Sequence, residues 1–293
     1  MWQAVFVRDA LLRAHSGLHI ELVGITTEGD RTLDVPLAEK GGKGLFLKEL
    51  EQALLDGRID LAVHSMKDVT VTEPDGLHIP VICEREDPHD ALVSTRFGDL
   101  RELPDGAVVG TCSLRRQSLL RYRFPQLKVE NLRGNVNRRL QRLDDGDFDA
   151  IILAAAGLLR LQMAGRIRQR IPTGIMLPAV GQGAVGVQCR ADDAKTTSLL
   201  APLDHVPTHA RITAERAANV HLGGGCHLPI GAFAEIEGEQ LRLRGLVGRP
   251  DGSEILFASA KGLVSEAEAV GHTLADDLLG QGAKALLQEF ANA

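Results

Sequence analysis

Arginine is concentrated in one short part of the chain, where it could bind an anionic ligand. Residues 113–142 contain eight arginines and one lysine against a single acid, Glu130. Arg115 and Arg116 follow a predicted strand and open a predicted helix, and Arg133 lies at a second strand-to-helix junction. The free N–H groups of a helix start favour anions, and a guanidinium matches the fork of a carboxylate or phosphate. The pattern predicts a pocket for a ligand with several anionic groups.

The remaining arginines of this stretch have a simpler interpretation. Arg121, Arg123 and Arg142 are expected to form a solvated helix face, as most runs of charge do. A nucleic-acid surface would need aromatic residues between the charges, and only Tyr122 and Phe124 are present. The formal net charge of −6 also argues against a protein that coats nucleic acid.

An acidic side chain follows a second buried-looking strand. The segment AVHSMKD places Lys67 and Asp68 just beyond the strand predicted over 59–65, at the sheet edge where ligands collect in α/β folds. A carboxylate there could stabilise a developing cation or accept a proton. Equally, Asp68 could cap the following turn while Lys67 faces solvent. His64 is interpreted as the end of the strand.

A thiol lies in a glycine-rich segment, HLGGGCHLPIG, over 221–231. Cys226 has three candidate roles, as a nucleophile, a structural thiol or an attachment point. The adjacent His227 has poor geometry as its base, and a structural thiol would be expected in apolar surroundings. A second glycine-rich stretch, EKGGKGLF, is too short for a phosphate loop and is expected to present Lys43 on a flexible loop.

Composition limits the class of protein. The chain has 293 residues, of which 44% are hydrophobic and 25% charged, so it is expected to form two or three globular domains. We find no run long enough for a membrane span and no secretory signal, so a cytoplasmic protein is expected. The four cysteines form no Cys-x-x-Cys pair, so neither a metal site nor a disulfide framework is predicted.

Strand and helix patterns alternate over the first two hundred residues, which is typical of βαβ units with mainly parallel sheets. A strand is predicted over 18–25, and a helix over 42–57. Two polar or glycine-containing stretches, 83–93 and 177–190, are predicted to cross between two α/β domains and back. From about 205 onward an antiparallel sheet and then helices predict a smaller α+β domain.

These patterns predict three domains and one irregularity at the start. Domain 1 is expected over 1–84 and 184–202, domain 2 over 88–178 and domain 3 over 205–293. The chain enters an amphipathic helix at once, although a βαβ unit should open with a strand. A leading strand is therefore expected to be missing.

Together these segments resemble the porphobilinogen deaminase family. The resemblance covers almost the whole chain and depends on seven motifs in the family's order: GGKGLFLKELE, DLAVHSMKD, CEREDP, GTCSLRRQ, NLRGNVNRRL, AVGQGAVG and GGGCHLPIG. It implies two α/β domains like those of periplasmic binding proteins, plus a third domain that carries the cysteine. It also implies a cytoplasmic monomer.

The chemistry that the resemblance implies uses a covalent dipyrromethane cofactor, joined to Cys226 by a thioether. This cofactor would act as a primer to which four porphobilinogen molecules are added, each with loss of ammonia. Water would then release the linear tetrapyrrole hydroxymethylbilane. Each pyrrole carries carboxylates, so a growing chain needs a cationic lining.

The resemblance also implies roles for individual residues. Asp68 would be the catalytic carboxylate that stabilises the azafulvene cation left by loss of ammonia. The cofactor would be bound by Cys226, Lys67, Ser65, Thr111, Ser113, Arg115, Arg116, Arg133 and Arg139. The substrate would be bound by Gln3, Lys43, Phe46 and Arg160.

Departures from the family keep two alternatives open. The family's initial Arg-x-Ala-Thr-Arg-x-Ser-like strand is not present before MWQA, Thr70 replaces the usual proline, and Cys112 lies beside the arginine pair. One alternative is an inactive deaminase shortened at its N-terminus. The other is a two-domain protein that binds an anionic small molecule without chemistry, which would leave Cys226 without a role.

Overall fold

The computed structural model describes residues 1–25, 47–225 and 228–291. The helices of this part of the chain are α1 (Trp2–Ala14), α2 (Lys48–Leu55), α3 (Leu114–Arg123), α4 (Val136–Asp144), α5 (Ala155–Arg160), α6 (Ala194–Leu200), α7 (Val206–His221), α8 (Ala267–Gly280) and α9 (Ala283–Ala291). The strands are β1 (Leu61–Ser65), β2 (Leu77–Ile82), β3 (Asp90–Val93), β4 (Val108–Gly110), β5 (Lys128–Glu130), β6 (Ala150–Ala154), β7 (Gln169–Ile171), β8 (Val185–Arg190), β9 (Ile230–Glu237), β10 (Gln240–Gly248) and β11 (Ile255–Leu263).

The first sheet has the order β1-β8-β2, with both outer strands antiparallel to β8. Helix α1 covers it with Val7 and Leu11, which pack against Val185 and Val187. The expectation of mainly parallel sheets is wrong for this sheet. The reason is connectivity, because β8 arrives from the second sheet and not through a helix beside β1, and parallel neighbours require such a crossover helix.

The strand predicted over 18–25 is not formed. Leu18 and Ile20 pack on the core of the first sheet, and burial alternates from 18 to 22 as it would in a strand. No described segment pairs with this backbone, however, and a strand exists only where a ladder of hydrogen bonds joins it to a neighbour. The periodicity therefore predicted the buried face correctly and the element wrongly.

The second sheet has the order β5-β4-β6-β3-β7. Its β4, β5 and β6 are parallel and are connected through α3 and α4, as the βαβ pattern predicted. The strands β3 and β7 add antiparallel partners on the other side, so this sheet is mixed. One apolar cluster on each side of the sheet covers its strands.

Two crossover segments join the first two sheets and hydrogen-bond to each other. The first crossover covers 83–89, between β2 and β3, and the second covers 172–184, between β7 and β8. The amide of Glu86 donates to the carbonyl of Gly183 (3.1 Å), and the Gln182 side chain donates to the carbonyl of Pro88 (2.7 Å). Gly183 has a φ of 89°, and a Cβ at this position would overlap the carbonyl of Glu86. The close approach of the two segments therefore requires glycine.

A buried carboxylate of α7 fastens both crossovers to the third sheet. Glu215 is fully buried and accepts both Nη1 (2.6 Å) and Nη2 (3.2 Å) of Arg85, which lies on the first crossover. It also accepts the amides of Gly181 on the second crossover (2.8 Å) and Ala234 in β9 (2.9 Å). The acid is fully hydrogen-bonded, as a buried charge must be.

The third sheet is the predicted antiparallel one, with the order β11-β10-β9, and α7 and α8 cover it. Phe233 and Leu246 of this sheet belong to an apolar cluster of the second sheet, so the two pack as one continuous core. Within residues 1–25, 47–225 and 228–291, no helix is long and apolar enough to cross a membrane.

Candidate active site

The end of β1 presents the first pair of charged residues. After Ser65 the chain forms one short 3₁₀ turn, Met66–Asp68, held by a bond from the amide of Met66 to the carbonyl of Ala184 (3.0 Å). Met66 is buried, Lys67 is half-buried and Asp68 is exposed. The buried Met66 anchors the turn, so Asp68 is held at the surface by a fixed backbone.

Lys67 lies among other cations. Burial lowers the pKa of Lys67, and the charges of Arg116 and Arg139 lower it further, while Asp68 and Asp90 oppose them. A cation in this position is destabilised until an anion approaches it. Lys67 therefore belongs to a site that favours an anionic ligand.

His64, one residue before Ser65, makes the stability of this strand depend on pH. It is 5% exposed, and its Nε2 lies 3.0 Å from Oε1 of Gln188. Burial lowers the pKa of His64 to about 4, although the Gln188 hydrogen bond opposes this shift. The unfolded chain takes up its proton near pH ~6.5, so the unfolding free energy is expected to fall by about 3 kcal/mol between pH ~6.5 and ~4.

Denaturant unfolding at about pH 7 and about pH 4.5 measures this loss. The neutral variant His64→Gln should lose less stability than the wild type on acidification, whereas His19→Gln, an exposed control, should lose as much as the wild type. A loss for His64→Gln equal to that of the wild type would contradict the assignment.

The start of α3 carries the arginine pair, and both side chains bind one acid. Ser113 caps the helix by accepting the amide of Arg116, which places Arg115 and Arg116 in the first turn. Arg115 Nη1 lies 2.7 Å from Asp90 Oδ2, and Arg116 Nη2 lies 2.6 Å from Oδ1. Gln182 donates to Oδ1 as well (3.1 Å).

This cluster is deeply buried. Asp90 is 0% exposed, Arg115 3% and Arg116 6%. Burial alone would raise the pKa of Asp90, but the two guanidiniums outweigh it and hold the pKa at about 2. Two cations against one acid leave one uncompensated positive charge, and Nε of Arg115 has no hydrogen-bond partner among the described residues.

A third cation comes from α4, which Asn135 caps by accepting the amide of Arg138. Arg139 donates from Nε to the carbonyl of Gly134 (2.7 Å), and its Nη2 lies 3.8 Å from the sulfur of Cys112. Burial lowers the pKa of Arg139, and Arg116 and Arg133 lower it too, while Cys112 and Asp68 oppose them. Arg139 therefore interacts electrostatically with Asp68 and with Arg116 of α3.

The three predicted hydroxyl residues lie near these cations but have partners within the chain. Ser65 accepts a hydrogen bond from Nε2 of Gln3 (2.6 Å), which brings α1 to the end of β1. Thr111 is buried, and its hydroxyl accepts the amide of Ser113 (3.3 Å). Ser113 itself caps α3.

Arg160 lies on the other side of the crossovers. It donates from Nη2 to the carbonyl of Gly183 (2.7 Å), and its guanidinium carbon lies 5.3 Å from the ring centroid of Trp2. Burial lowers the pKa of Arg160, while Glu86 and Cys83 oppose this shift. The structure thus connects Arg160 to the second crossover segment and to α1, and no hydrogen bond or ion pair joins Arg160 to Asp68 in the described part of the chain.

The glycine-rich segment ends α7 and returns beside the arginine pair. Gly223 has a φ of 65° just after the helix, a conformation that terminates a helix and favours glycine. The amide of Leu228 donates to the carbonyl of Gly225 (3.0 Å), and a Cβ on Gly231 would lie 3.1 Å from Cδ of Arg115. Cys226, Lys43 and Phe46 lie outside the described residues.

Two family models match this chain. Residues 1–198 match the dipyromethane cofactor binding domain of porphobilinogen deaminase, and residues 209–280 match the C-terminal domain of the same family. The chain belongs to the porphobilinogen deaminase family. This deaminase is a transferase that polymerises porphobilinogen to hydroxymethylbilane in porphyrin biosynthesis, and its cofactor is dipyrromethane. The predicted α/β fold class with a smaller C-terminal α+β part is confirmed.

Several solved structures resemble the deaminase chain at low identity. A periplasmic substrate-binding protein of an ABC transporter from Coxiella burnetii is 14% identical, over 69% of this chain and 86% of that chain, with a TM-score of 0.44. A nutrient-binding protein from Burkholderia cenocepacia bound to methionine is 14% identical, over 68% of this chain and 86% of that chain, with a TM-score of 0.42. The VFT2 domain of Bordetella pertussis BvgS is 19% identical, over 68% of this chain and 75% of that chain, with a TM-score of 0.41.

The charges of the deaminase site fit a cofactor that carries carboxylates. In the described part of the chain, four cations, Lys67, Arg115, Arg116 and Arg139, share this region with two acids, Asp68 and Asp90. Such an excess of buried or half-buried positive charge is stable only with further anions nearby.

Sequence reasoning missed Asp90 and Gln182, which hold the arginine pair in place. The available signal was an aspartate directly before the apolar strand residues ALV, since a buried acid must have a cationic partner. No local pattern identified that partner, because Asp90 and Arg115 are 25 residues apart in the sequence.

Proposed function

We propose that Lys67, Arg115, Arg116, Arg133 and Arg139 bind the carboxylates of the cofactor and of the growing pyrrole chain. The observation that carries this proposal is that, among the described residues, four cations, Lys67, Arg115, Arg116 and Arg139, lie with only two acids, Asp68 and Asp90, at the ends of β1, β4 and β5. An arriving carboxylate offsets the burial, and the repulsion from neighbouring arginines, that lower the pKa of Lys67 and of Arg139.

Asp90 serves this binding by holding two guanidiniums in fixed positions. Its two carboxylate oxygens accept both Arg115 and Arg116, so the fork of each arginine is oriented before any ligand binds. Preorganised donors cost little reorganisation when charge arrives. Asp90 is therefore a positioning residue, and the net positive charge of the trio remains for the ligand.

Asp68 is the group that acts on the reacting pyrrole. When porphobilinogen loses ammonia it becomes a cation, and a carboxylate beside the pyrrole N–H stabilises that cation. Asp68 is exposed at the end of a fixed turn, so it can reach a substrate without breaking a structural contact. The charge of Arg139 keeps this carboxylate in the same field as the ligand-binding cations.

Cys226 is proposed as the attachment point of the dipyrromethane, which supplies the nucleophilic pyrrole carbon at which the chain is extended. Gly231 packs against Arg115, and five residues span at most about 18 Å. The chain length between Gly231 and Cys226 therefore keeps the tether within reach of the cationic cluster.

The remaining assignments are less central. Gln3, Lys43, Phe46 and Arg160 are proposed to bind substrate, with Gln3 acting through its contact with Ser65. Thr111, Ser113 and Ser65 are proposed to support the cofactor site. The three-domain division at 1–84 with 184–202, 88–178 and 205–293, a cytoplasmic location and a monomeric state complete the proposal.

Product stoichiometry tests the function. Purified protein incubated with porphobilinogen should release four ammonia molecules for each linear tetrapyrrole that appears, since every added unit loses one amine. Mass spectrometry of the product and an ammonia assay measure the two quantities. Recovery of unchanged porphobilinogen from folded, cofactor-loaded protein would contradict catalysis and would support the non-catalytic binder.

A further inference from the structure

A cavity of about 430 Å³ lies between α3, the segment 173–177 and the third sheet. None of the described residues that are assigned to the active site lines it. Its volume is in the range of natural small-molecule sites, and it lies at a junction between packed units, where such sites are common. It therefore requires an explanation separate from the chemistry of the active site.

Two guanidiniums, two hydroxyls and the carboxylate of Asp277 give the cavity its polar character. Arg244 donates from Nη2 to the hydroxyl of Thr173 (2.8 Å) and to Glu235 (3.0 Å), but its buried Nε has no partner among the described residues. Arg123 lines the same cavity, and no described carboxylate pairs with it. Ser259 adds a second hydroxyl. The one lining acid, Asp277, accepts Nε2 of Gln281 (3.2 Å), so the two guanidiniums outnumber it and suit a carboxylate ligand.

The rest of the wall is apolar and aromatic. Leu119, Ile175 and Leu177 line the cavity together with Phe257, which is 42% exposed. The ring of Tyr122 lies 6.4 Å from that of Phe257, at an angle of 56°. Exposed aromatic rings beside cations recognise planar conjugated groups.

We propose that this cavity binds a compact aromatic carboxylate, with its carboxylate on Arg123 and Arg244 and its ring against Phe257. The site is connected to the arginine pair, because Arg115, Leu119 and Arg123 follow one another at four-residue spacing on one face of α3. The carbonyl of Leu177, which lines the cavity, also accepts Nη1 of Arg115 (2.5 Å). A ligand bound in this cavity shifts the contacts that Leu177 and α3 make with Arg115, and thereby lowers the turnover rate of the enzyme.

Titration of the cofactor-loaded protein with 4-fluorobenzoate, followed by fluorine NMR, tests the binding. The signal should broaden and saturate, while 4-fluorobenzamide, of the same shape without the charge, should bind at least tenfold more weakly.

Three variants test the residues of the cavity. Arg123→Gln, at an exposed helix end, should weaken the binding of 4-fluorobenzoate at least tenfold and leave basal turnover unchanged. Ala258→Leu, which fills the cavity, should also abolish binding. The matched control Arg101→Gln, an exposed arginine outside the cavity, should bind as the wild type does.

Steady-state kinetics tests the connection to the active site. Saturating 4-fluorobenzoate should lower the maximal rate at least twofold without changing the KM for porphobilinogen, and Arg123→Gln should remove this inhibition. Absence of binding, equal binding to Arg123→Gln, or displacement of the probe by porphobilinogen would overturn the site. Binding with no change in rate would overturn the connection. The NMR titration does not depend on turnover, so failure of the proposed catalytic roles would be visible separately.

Discussion

Replacing Asp68 with asparagine is expected to lower kcat by about 10²- to 10³-fold or more, while the protein stays folded. The amide keeps the shape of the side chain but cannot balance the positive charge of the reacting pyrrole. Asp68 is exposed and forms no hydrogen bond that supports the fold in the described part of the chain, so the unfolding free energy should change by less than about 1 kcal/mol.

Steady-state turnover of porphobilinogen measures the loss, and thermal unfolding verifies the fold. Asp68→Glu keeps the charge and should retain more activity than Asp68→Asn. Asp75→Asn makes the same substitution at an exposed position before β2 and should turn over at the wild-type rate. A kcat for Asp68→Asn within twofold of the wild type would exclude the proposed role of this carboxylate.

Asp90→Asn should lower the unfolding free energy by about 3–5 kcal/mol, the largest loss expected from a single substitution in the second sheet. The substitution leaves two buried guanidiniums with no carboxylate, although Asp90 now accepts both within 2.7 Å. Because its pKa is held at about 2, Asp90 is ionised throughout the physiological range, so the loss should be nearly independent of pH between ~5 and ~8. Chemical denaturation measures it.

The control for this loss is Asp144→Asn, which removes the same charge from an exposed pair with Arg166. That pair should contribute no more than about 1 kcal/mol. Equal unfolding free energies for the two variants would show that the buried trio is not a structural unit. A folded Asp90→Asn protein should also bind cofactor poorly, because Arg115 and Arg116 lose their fixed orientation.

The local parts of the site could be predicted from the sequence. Helices α3 and α4 begin where a capping residue, Ser113 or Asn135, follows a strand, and both caps form. The positions of Lys67 and Asp68 just beyond β1 follow from one apolar strand pattern. The antiparallel third sheet was likewise predicted from alternation and turn residues. In each case neighbouring residues determine the element.

Contacts between distant segments could not be predicted in this way. The antiparallel direction of β8 depends on the route of the chain, and the strand expected over 18–25 lacks a partner. Asp90 and Glu215 join segments that lie far apart in the sequence, and only their burial in apolar surroundings hints at a partner. The periodicity of a segment encodes its buried face but not which segment covers it.

The glycine-rich segment shows both effects. The family resemblance implies that this segment carries a covalent cofactor at Cys226. The structure assigns Gly223 to the end of α7 and packs Gly231 against Arg115. These contacts explain two glycines of the segment without a ligand, and they also hold its far end beside the cationic cluster.

The most direct test of the account is the intact mass of protein purified from a haem-synthesising host. The wild type should carry an increment equal to two condensed pyrroles, and Cys226→Ser should lack it. Cys112→Ser removes the thiol that lies near Arg139 and should retain the increment in full. An unmodified wild-type protein, or an increment that survives Cys226→Ser and disappears in Cys112→Ser, would contradict the attachment on which the proposed mechanism depends.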